Sequence, residues 1–296
     1  MSPHTTCHTS WRLALLVPAL AIGFTTVTQA QVQLNPKALV YQTPDQYKWR
    51  DPANTGPNNG ASLWGDANKE GDFYGGITKW NKGNNFSKPH FHPYDRFIFV
   101  LSGTWWVGSG TAWDKDSSVP MKAGTFVTHF ANGVHWDGAK QDEDAVLLIM
   151  GKAPAASKLA TETEGKMGPL NPAAVTYITP DQRKWRDPAD KSPTNAAMLV
   201  GDQSKTGFYA YINVFKPGAS SRPHYHPNDR YITVLKGTWW VGTGNKHDMN
   251  ATVPLKAGTF VTHFKNEIHY DGAKDEEAVV LIVGEGPGTS VQAEAK

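Results

Sequence analysis

The sequence predicts an all-β protein in which one domain occurs twice. Four segments of the chain recur in the same order, namely 35–53 as 171–189, 89–108 as 223–242, 120–138 as 254–272, and 145–151 as 278–284. A repeat of about 115 residues is far longer than the repeats of solenoid proteins. The repeat therefore indicates two tandem domains rather than an array.

The apolar runs inside each copy are short, as is typical of strands. In the first copy they read FYGGITKW, RFIFVLSG, TWWVG, GTFVTHF and AVLLIM. Gly, Pro, Asn and Asp interrupt such runs about every ten residues, and long helical patterns are few. The chain also contains 28 Gly and 20 Pro. This spacing favours a β-sandwich or a small barrel in each copy.

The N-terminal residues are typical of a secretory signal peptide. Arg12 precedes an apolar run from Leu13 to Phe24, and Thr28-Gln29-Ala30 offers a small-residue cleavage site. The run is too short to span a bilayer. The single cysteine, Cys7, would leave with the signal, so disulfide and thiolate chemistry are excluded from the mature chain. We expect a secreted or periplasmic protein without a membrane anchor after cleavage.

The repeat and the composition together divide the chain. The predicted parts are a signal peptide (1–30), a first domain (31–152), a linker rich in Ala, Lys, Thr and Glu (153–170), a second domain (171–286) and a C-terminal tail (287–296). The formal net charge of +2 comes without a basic stripe or an acidic tail, which argues against a nucleic-acid partner. The expected partner is a small-molecule substrate, and a homo-oligomer is compatible with the sequence.

Histidines at matching positions in the two copies predict a metal site in each. The four in the first copy recur 134 residues later, as His90, His92, His129 and His135 against His224, His226, His263 and His269. Alternate residues of a strand share a face, so the two histidines of each His-x-His project together. A third imidazole from a later strand would complete a site with open positions for a substrate.

The two histidine blocks resemble the motifs of the cupin family, and the resemblance covers both repeats. His90-Phe91-His92 and Gly103 fit the first motif, and Gly124 with His135 fits the second. Gly258 and His269 keep the same interval in the other copy. The resemblance implies a double-stranded β-helix, or jelly-roll barrel, in each repeat. Two such barrels in one chain would make it a bicupin.

One position departs from the cupin pattern. Arg96 and Arg230 stand where cupins usually place a glutamate ligand, and Asp95 and Asp229 precede them. Adjacent strand residues face opposite ways, so only one member of each pair can enter the barrel. We expect the arginine to enter, beside a three-histidine centre, and to bind a carboxylate through two parallel hydrogen bonds. In the alternative, the aspartate enters as a fourth ligand.

Three function classes fit this pattern. Ring-cleaving dioxygenases of the gentisate type resemble it, with three histidines, no glutamate and a nearby arginine. We therefore expect an Fe(II) or Mn(II) dioxygenase acting on a small carboxylated or enolic substrate. A metal-assisted isomerase or lyase is the alternative enzyme, and a non-catalytic metal- or ligand-binding protein is the third class. Three imidazoles also accept Zn, Ni or Cu.

Two further features concern the surroundings of the metal. The cupin resemblance places His129 and His263 inside the barrels, where each could exchange a proton with the substrate or simply be a hydrogen-bonded core residue. The copies also differ near the motifs, with Phe91, Tyr94, Phe99 and Trp136 against Tyr225, Asn228, Thr233 and Tyr270. We expect these differences to make one pocket more polar than the other.

Overall fold

Short strands separated by tight turns make up most of the chain in the computed structural model, which describes residues 32–293. The predicted signal peptide lies outside the described residues. Three 3-10 helices occur, at Pro44–Gln46, Lys115–Ser117 and Pro180–Gln182. None of the helices between residues 32 and 293 is long and apolar enough to cross a membrane.

The strands fall into two series that follow the sequence repeat. Up to the segment between the repeats they are β1 (Leu39–Gln42), β2 (Asn58–Trp64), β3 (Phe73–Trp80), β4 (Asn85–Phe86), β5 (His90–Phe91), β6 (Arg96–Ser102), β7 (Thr104–Ser109), β8 (Val119–Lys122), β9 (Phe126–His129), β10 (His135–Ala139), β11 (Ala145–Lys152) and β12 (Lys158–Leu159). The second series is β13 (Val175–Ile178), β14 (Thr194–Val200), β15 (Gly207–Phe215), β16 (His224–Tyr225), β17 (Arg230–Lys236), β18 (Thr238–Thr243), β19 (Val253–Lys256), β20 (Phe260–His263), β21 (His269–Gly272), β22 (Ala278–Gly286) and β23 (Val291–Gln292).

Each barrel consists of two antiparallel sheets. The first barrel has the strand orders β13-β9-β6-β11-β3-β2 and β12-β5-β10-β7-β8, with β4 also paired to β10. The second has the orders β1-β20-β17-β22-β15-β14 and β19-β18-β21-β16-β23. The predicted fold class, two tandem all-β jelly-roll barrels, is confirmed.

The first strand of each repeat belongs to the other barrel. β1 pairs with β20, with Leu39 opposite His263, and β13 pairs with β9, with Val175 opposite His129. Each exchanged strand is the outer strand of a six-stranded sheet and covers the edge of β20 or β9. The limits of the sequence repeats and of the barrels therefore differ at this strand.

Alternation along the central strands gives each large sheet two buried faces. On β6, Ile98 and Val100 pack inside the first barrel, whereas Phe97 and Phe99 pack against the second barrel. The face between the barrels is rich in aromatic rings. Trp64 stacks on Tyr231 with ring centroids 4.5 Å apart, and such a pair contributes about 0.5–1.5 kcal/mol beyond area burial. The two barrels thus share one apolar core in addition to their separate interiors.

The backbone conformation at position 103 explains why the first cupin-like motif contains a glycine there. Gly103 has a φ of 71° in the turn between β6 and β7, and its counterpart Gly237 has a φ of 70°. Residues other than glycine rarely adopt this left-handed conformation. A Cβ at position 103 would also collide with the carbonyl oxygen of Asp144. The motif glycine therefore allows the tight turn that starts the second sheet.

Candidate metal centre

Three histidines converge inside the first barrel. His90 begins β5, His92 follows that strand, and His135 begins β10 directly opposite His90 in the ladder. The ring centroids of His90 and His135 lie 4.4 Å apart, and those of His92 and His135 lie 5.0 Å apart. One nitrogen from each of the three lies within 4.8 Å of the others. Strand register alone therefore assembles the group.

The second barrel repeats this geometry. His224 lies opposite His269 in the ladder, and their ring centroids are 4.5 Å apart. His226 is 5.1 Å from His269 by the same measure, and all three histidines are buried. The six histidines that sequence analysis selected as metal ligands thus form two matching groups of three.

Backbone carbonyls fix the orientation of every ring. In the first barrel the Nδ1 atoms of His90, His92 and His135 lie 2.8–2.9 Å from the carbonyl oxygens of Lys88, Ala156 and Gly133. In the second barrel the carbonyls belong to Arg222, Thr289 and Glu267, at 2.7–3.1 Å. A carbonyl can only accept, so Nδ1 carries the proton and Nε2 has a free lone pair. Outer hydrogen bonds of this kind are typical of metal-ligating histidines.

Burial favours the neutral form of four of these six imidazoles. Desolvation, with a further contribution from Arg96, lowers the pKa of His92 to about 3, and Arg230 acts in the same way on His226. Burial also lowers the pKa of His135 and of His269 well below the usual value. Since a metal ion needs the unprotonated ring, the donors are ready at neutral pH.

The donor set fits a divalent transition metal. The Nε2 atoms of His135 and His269 are buried and have no hydrogen-bond partner. A buried acceptor without a partner is costly, and a metal ion on the free lone pair would satisfy it. Three imidazole nitrogens accept iron, manganese, zinc, nickel or copper.

Arg96 faces the interior of the first barrel. It lies opposite His129 in the ladder and two residues before Ile98, which packs inside the barrel. Its Nη2 donates to the carbonyl oxygen of Ala155 at 2.5 Å, and its Nε has no acceptor. Arg230 has the same position in the second barrel, donates to the carbonyl of Gly288, and also has an unpaired Nε.

The neighbouring aspartates have a different role. The Oδ1 of Asp95 accepts a hydrogen bond from the backbone N–H of Ala131 at 2.8 Å, and Asp229 accepts one from Lys265 at the same distance. Neither aspartate belongs to a potential ligand group within the described part of the chain. The arginine of each pair therefore faces the barrel interior, and the aspartate hydrogen-bonds to the loop after β9 or β20.

His129 and His263 lie deeper than the histidine groups. The ring centroid of His129 is 3.7 Å from that of His135 and 5.3 Å from that of Trp105. Its Nε2 is buried without a partner, and burial lowers its pKa well below the usual value. His263 has the same surroundings in the second barrel. Each is therefore a neutral imidazole in contact with one histidine of a candidate metal group.

Sequence analysis missed a buried carboxylate beside each of these histidines. Asp137 lies within 4.8 Å of both His129 and His135, and Asp271 occupies the equivalent place in the second barrel. Burial raises the pKa of both carboxyls, which favours their protonated forms. The period-2 rule could have found them, because each follows an inward-facing histidine by two residues.

The two interiors differ at a position that sequence analysis did not select. Tyr211 is buried on β15 and lies opposite Ile282, and the equivalent place on β3, opposite Ile149, holds Gly76. Tyr211 and Arg230 line a cavity of about 440 Å³, whose wall also includes Lys184, Arg186, Asn213 and Ser290.

The expected difference in pocket polarity was wrong at two of the predicted positions. Phe99 packs in the core between the barrels, not inside one. Trp136 lies against Gly108 and donates its indole N–H to the carbonyl of Ala112. Both side chains therefore face away from the histidines, because adjacent strand residues alternate between faces.

Two short segments that follow β11 and β22 contact the histidine groups. We call residues 153–159 the first strap and residues 286–293 the second strap. The first strap contributes the carbonyls that bind Arg96 and His92 and contains β12, which pairs with β5. The second strap supplies the same contacts to Arg230 and His226 and contains β23, which pairs with β16. The segments predicted as linker and tail thus contribute contacts to the candidate sites.

Comparisons with known proteins agree with this architecture. A family model described as Cupin matches residues 193–295, and no curated protein matches the chain. The formate complex of Lactobacillus farciminis oxalate decarboxylase is similar with a TM-score of 0.60 at 16% identity, over 85% of this chain and 88% of that one. Protein Ylba from E. coli is similar with a TM-score of 0.57 at 12% identity, over 86% of this chain and 94% of that one.

A third similar structure is the E162A mutant of Bacillus subtilis oxalate decarboxylase, with a TM-score of 0.57 at 13% identity, over 85% of this chain and 78% of that one. At such identities the likeness concerns the fold alone. The family match covers the second barrel from the first residues of β14 onward, and the first barrel repeats its motifs, strand order and histidine group. The second barrel thus matches the cupin family, and the chain has the architecture of a two-domain cupin, or bicupin.

Proposed function

We propose that the protein is a metal-dependent dioxygenase that acts on a small carboxylated or enolic substrate inside each barrel. The observation that carries the proposal is a group of three buried imidazoles, without a carboxylate among them, beside an inward-facing arginine. Fe(II) or Mn(II) is the proposed metal, held by the Nε2 atoms of His90, His92 and His135 and of their counterparts. Following the N-terminal signal pattern, we place the reaction outside the cytoplasm.

The arginine would bind the acidic group of the substrate. The guanidinium of Arg96 uses Nη2 for the first strap, and its Nε has no acceptor. A planar guanidinium can bind a carboxylate through two hydrogen bonds, which sets the orientation as well as the position of the substrate. When bound, iron or manganese would supply Lewis acidity and redox chemistry on the open side of the histidine group.

His129 would exchange a proton at its Nε2. Burial keeps this imidazole neutral, and its Nε2 has no partner within the protein. A neutral histidine in this position can accept a proton from an enolic hydroxyl and return it to the product. The apolar barrel wall, which includes Ile98, Val107 and Val127, would exclude bulk water from the substrate.

A lyase is the second candidate. Two solved structures that resemble this bicupin are described as oxalate decarboxylases, although they share only 13–16% of their sequence with it. An arginine that holds a carboxylate and a neutral histidine that moves a proton would serve a non-oxidative C–C cleavage as well as a dioxygenation. Oxygen demand therefore separates the two candidates.

Oxygen uptake should accompany turnover. The metal-loaded protein is mixed with a phenolic acid such as 2,5-dihydroxybenzoate in an oxygen electrode, and in parallel with oxalate under anaerobic conditions. Consumption of oxygen with loss of the phenolic acid is the expected result. The His92→Ala/His226→Ala double variant provides the control. Anaerobic turnover would support the lyase, and metal binding without turnover of a broad panel of acids would indicate a non-catalytic protein.

Both histidine groups should load, giving two metal ions per chain, because each has three buried donors oriented by backbone carbonyls. Elemental analysis of the purified protein measures the ratio. His92→Ala should reduce it to one and the double variant with His226→Ala to none, while circular dichroism still reports β structure. Loss of all β structure in the double variant would contradict this expectation and make the metal structural.

The second strap should support only the second site. Deleting residues 287–296 removes the carbonyl that orients His226, and losing such an outer contact weakens metal binding by about 10–100-fold. Titration with Mn(II) in the His92→Ala background reports the second site alone. The same deletion in the His226→Ala background is the matched control and should leave the first site unchanged. Equal losses at both sites would indicate a general folding defect instead.

The sharpest test of the site concerns the arginines. Arg96→Lys and Arg230→Lys keep the charge but lose the planar fork, so turnover should fall by about tenfold or more, the loss of one charge-assisted hydrogen bond. Metal content should stay the same. Asp95→Asn and Asp229→Asn are the controls and should also leave metal content unchanged. Metal loss in the aspartate variants with full turnover in the lysine variants would contradict the proposed roles.

A further inference from the structure

A further cavity lies between the barrels, and none of the histidines of either group lines it. Its volume is about 770 Å³, which falls in the range of small-molecule sites. It is lined by residues of both repeats, and neither the histidines nor Arg96 and Arg230 contribute to its wall. We call this cavity the inter-barrel cleft.

The wall of the inter-barrel cleft is mostly apolar. Phe99, Leu101 and Val146 line it from the first repeat, and Leu235 and Val279 line it from the second. An apolar ligand would remove this surface from water at about 25 cal/mol per Å² of buried area. The cleft thus fits the hydrocarbon part of a small molecule.

Three cations also line the cleft, and two of them are neutralised. Lys79 pairs with Asp144 at 2.8 Å, and Lys236 pairs with Glu277 at 3.1 Å. Arg183 has no ion-pair partner among residues 32–293. Its Nη2 donates to the carbonyl of Gly124 at 2.5 Å, and its Nε is buried without an acceptor. Desolvation lowers the pKa of Arg183, and no carboxylate opposes that effect.

The sequence repeat shows that the charge is not needed for this contact. Tyr47 occupies the matching position of the first repeat, lines the same cleft, and donates its hydroxyl to the carbonyl of Gly258 at 2.5 Å. Gly124 and Gly258 are themselves counterparts. A neutral phenol therefore makes the same type of contact that Arg183 makes. The positive charge of Arg183 is an addition at one end of an apolar cavity.

From this combination we infer that the inter-barrel cleft binds an amphipathic monocarboxylate, with its acid group on Arg183 and its apolar body between the barrels. The carboxylate would accept hydrogen bonds from the guanidinium nitrogens that Gly124 leaves free. It would also compensate a partly buried cation, whose desolvation is otherwise unopposed. The ligand would contact both barrels at once, and the inference does not depend on the proposed reaction.

Calorimetric titration with decanoate tests the inference, and 1-decanol is the uncharged control of equal chain length. The intact metal-loaded protein should bind decanoate at least about tenfold more tightly than decanol, as one charge-assisted hydrogen bond predicts. Arg183→Tyr introduces the residue that the first repeat has at this position, Tyr47. This variant should lose the tighter binding of decanoate, and its affinity for decanol should stay the same. Arg183→Gln keeps a hydrogen-bond donor but not the charge, and it should also lose the preference for decanoate over decanol.

Two further variants locate the binding. Val279→Trp fills the cleft and should abolish binding of both probes, whereas the His92→Ala/His226→Ala variant should bind decanoate as the native protein does. The inference fails if the native protein does not bind decanoate or if Arg183→Tyr binds it unchanged. It also fails if Arg230→Gln abolishes binding while Arg183→Tyr does not, because decanoate would then occupy a barrel.

Discussion

The exchange of the first strand between the two barrels is the constraint on which the rest of the structure depends. β1 completes the large sheet of the second barrel and β13 that of the first, so neither large sheet is complete without the other repeat. The exchanged strands pair with β20 and β9, the strands that carry His263 and His129. The same pairing holds the large sheets face to face and thereby creates the shared aromatic core and the inter-barrel cleft.

The orientation of the histidine groups depends in turn on the two straps, which follow the last long strand of each repeat. Strand register brings the rings together, but the carbonyls that orient His92 and His226 come from the straps. The straps also accept hydrogen bonds from Arg96 and Arg230, so each strap links one member of the histidine group to the inward-facing arginine. Each strap is therefore part of the candidate site through its backbone carbonyls.

Local pattern was enough to predict most of each site. Alternation of side chains along a strand predicted that His90 and His92 project together, and the doubled spacing predicted the third histidine. The choice between Asp95 and Arg96 could not be made from the sequence, because a shift of one residue exchanges the two faces of a strand. The register of β6 with β9 places Arg96 opposite His129 and resolves this ambiguity.

Features that depend on pairing between repeats had no local signal. Two copies of one pattern give the same expectation for exchanged and unexchanged strands, so the partner of β1 could not be deduced from the sequence. Gly76 and Tyr211 were missed for a related reason, because the two copies differ in length before this strand and only the ladders to β11 and β22 align them.

The difference between Gly76 and Tyr211 shows where the interiors of the two barrels diverged. Both keep the three histidines, the deeper histidine, the buried aspartate and the arginine, so the groups proposed to do chemistry are the same. Tyr74 and Tyr209 lie near the arginine in both barrels, and the change from Gly76 to Tyr211 adds a further phenol ring in the second barrel only, where it lines the cavity with Arg230. A ring in that place reduces the space for a substrate without altering a single proposed ligand. Duplication has thus preserved the groups proposed to do chemistry while the wall around them changed, so the proposed reaction would admit substrates of different size in the two barrels.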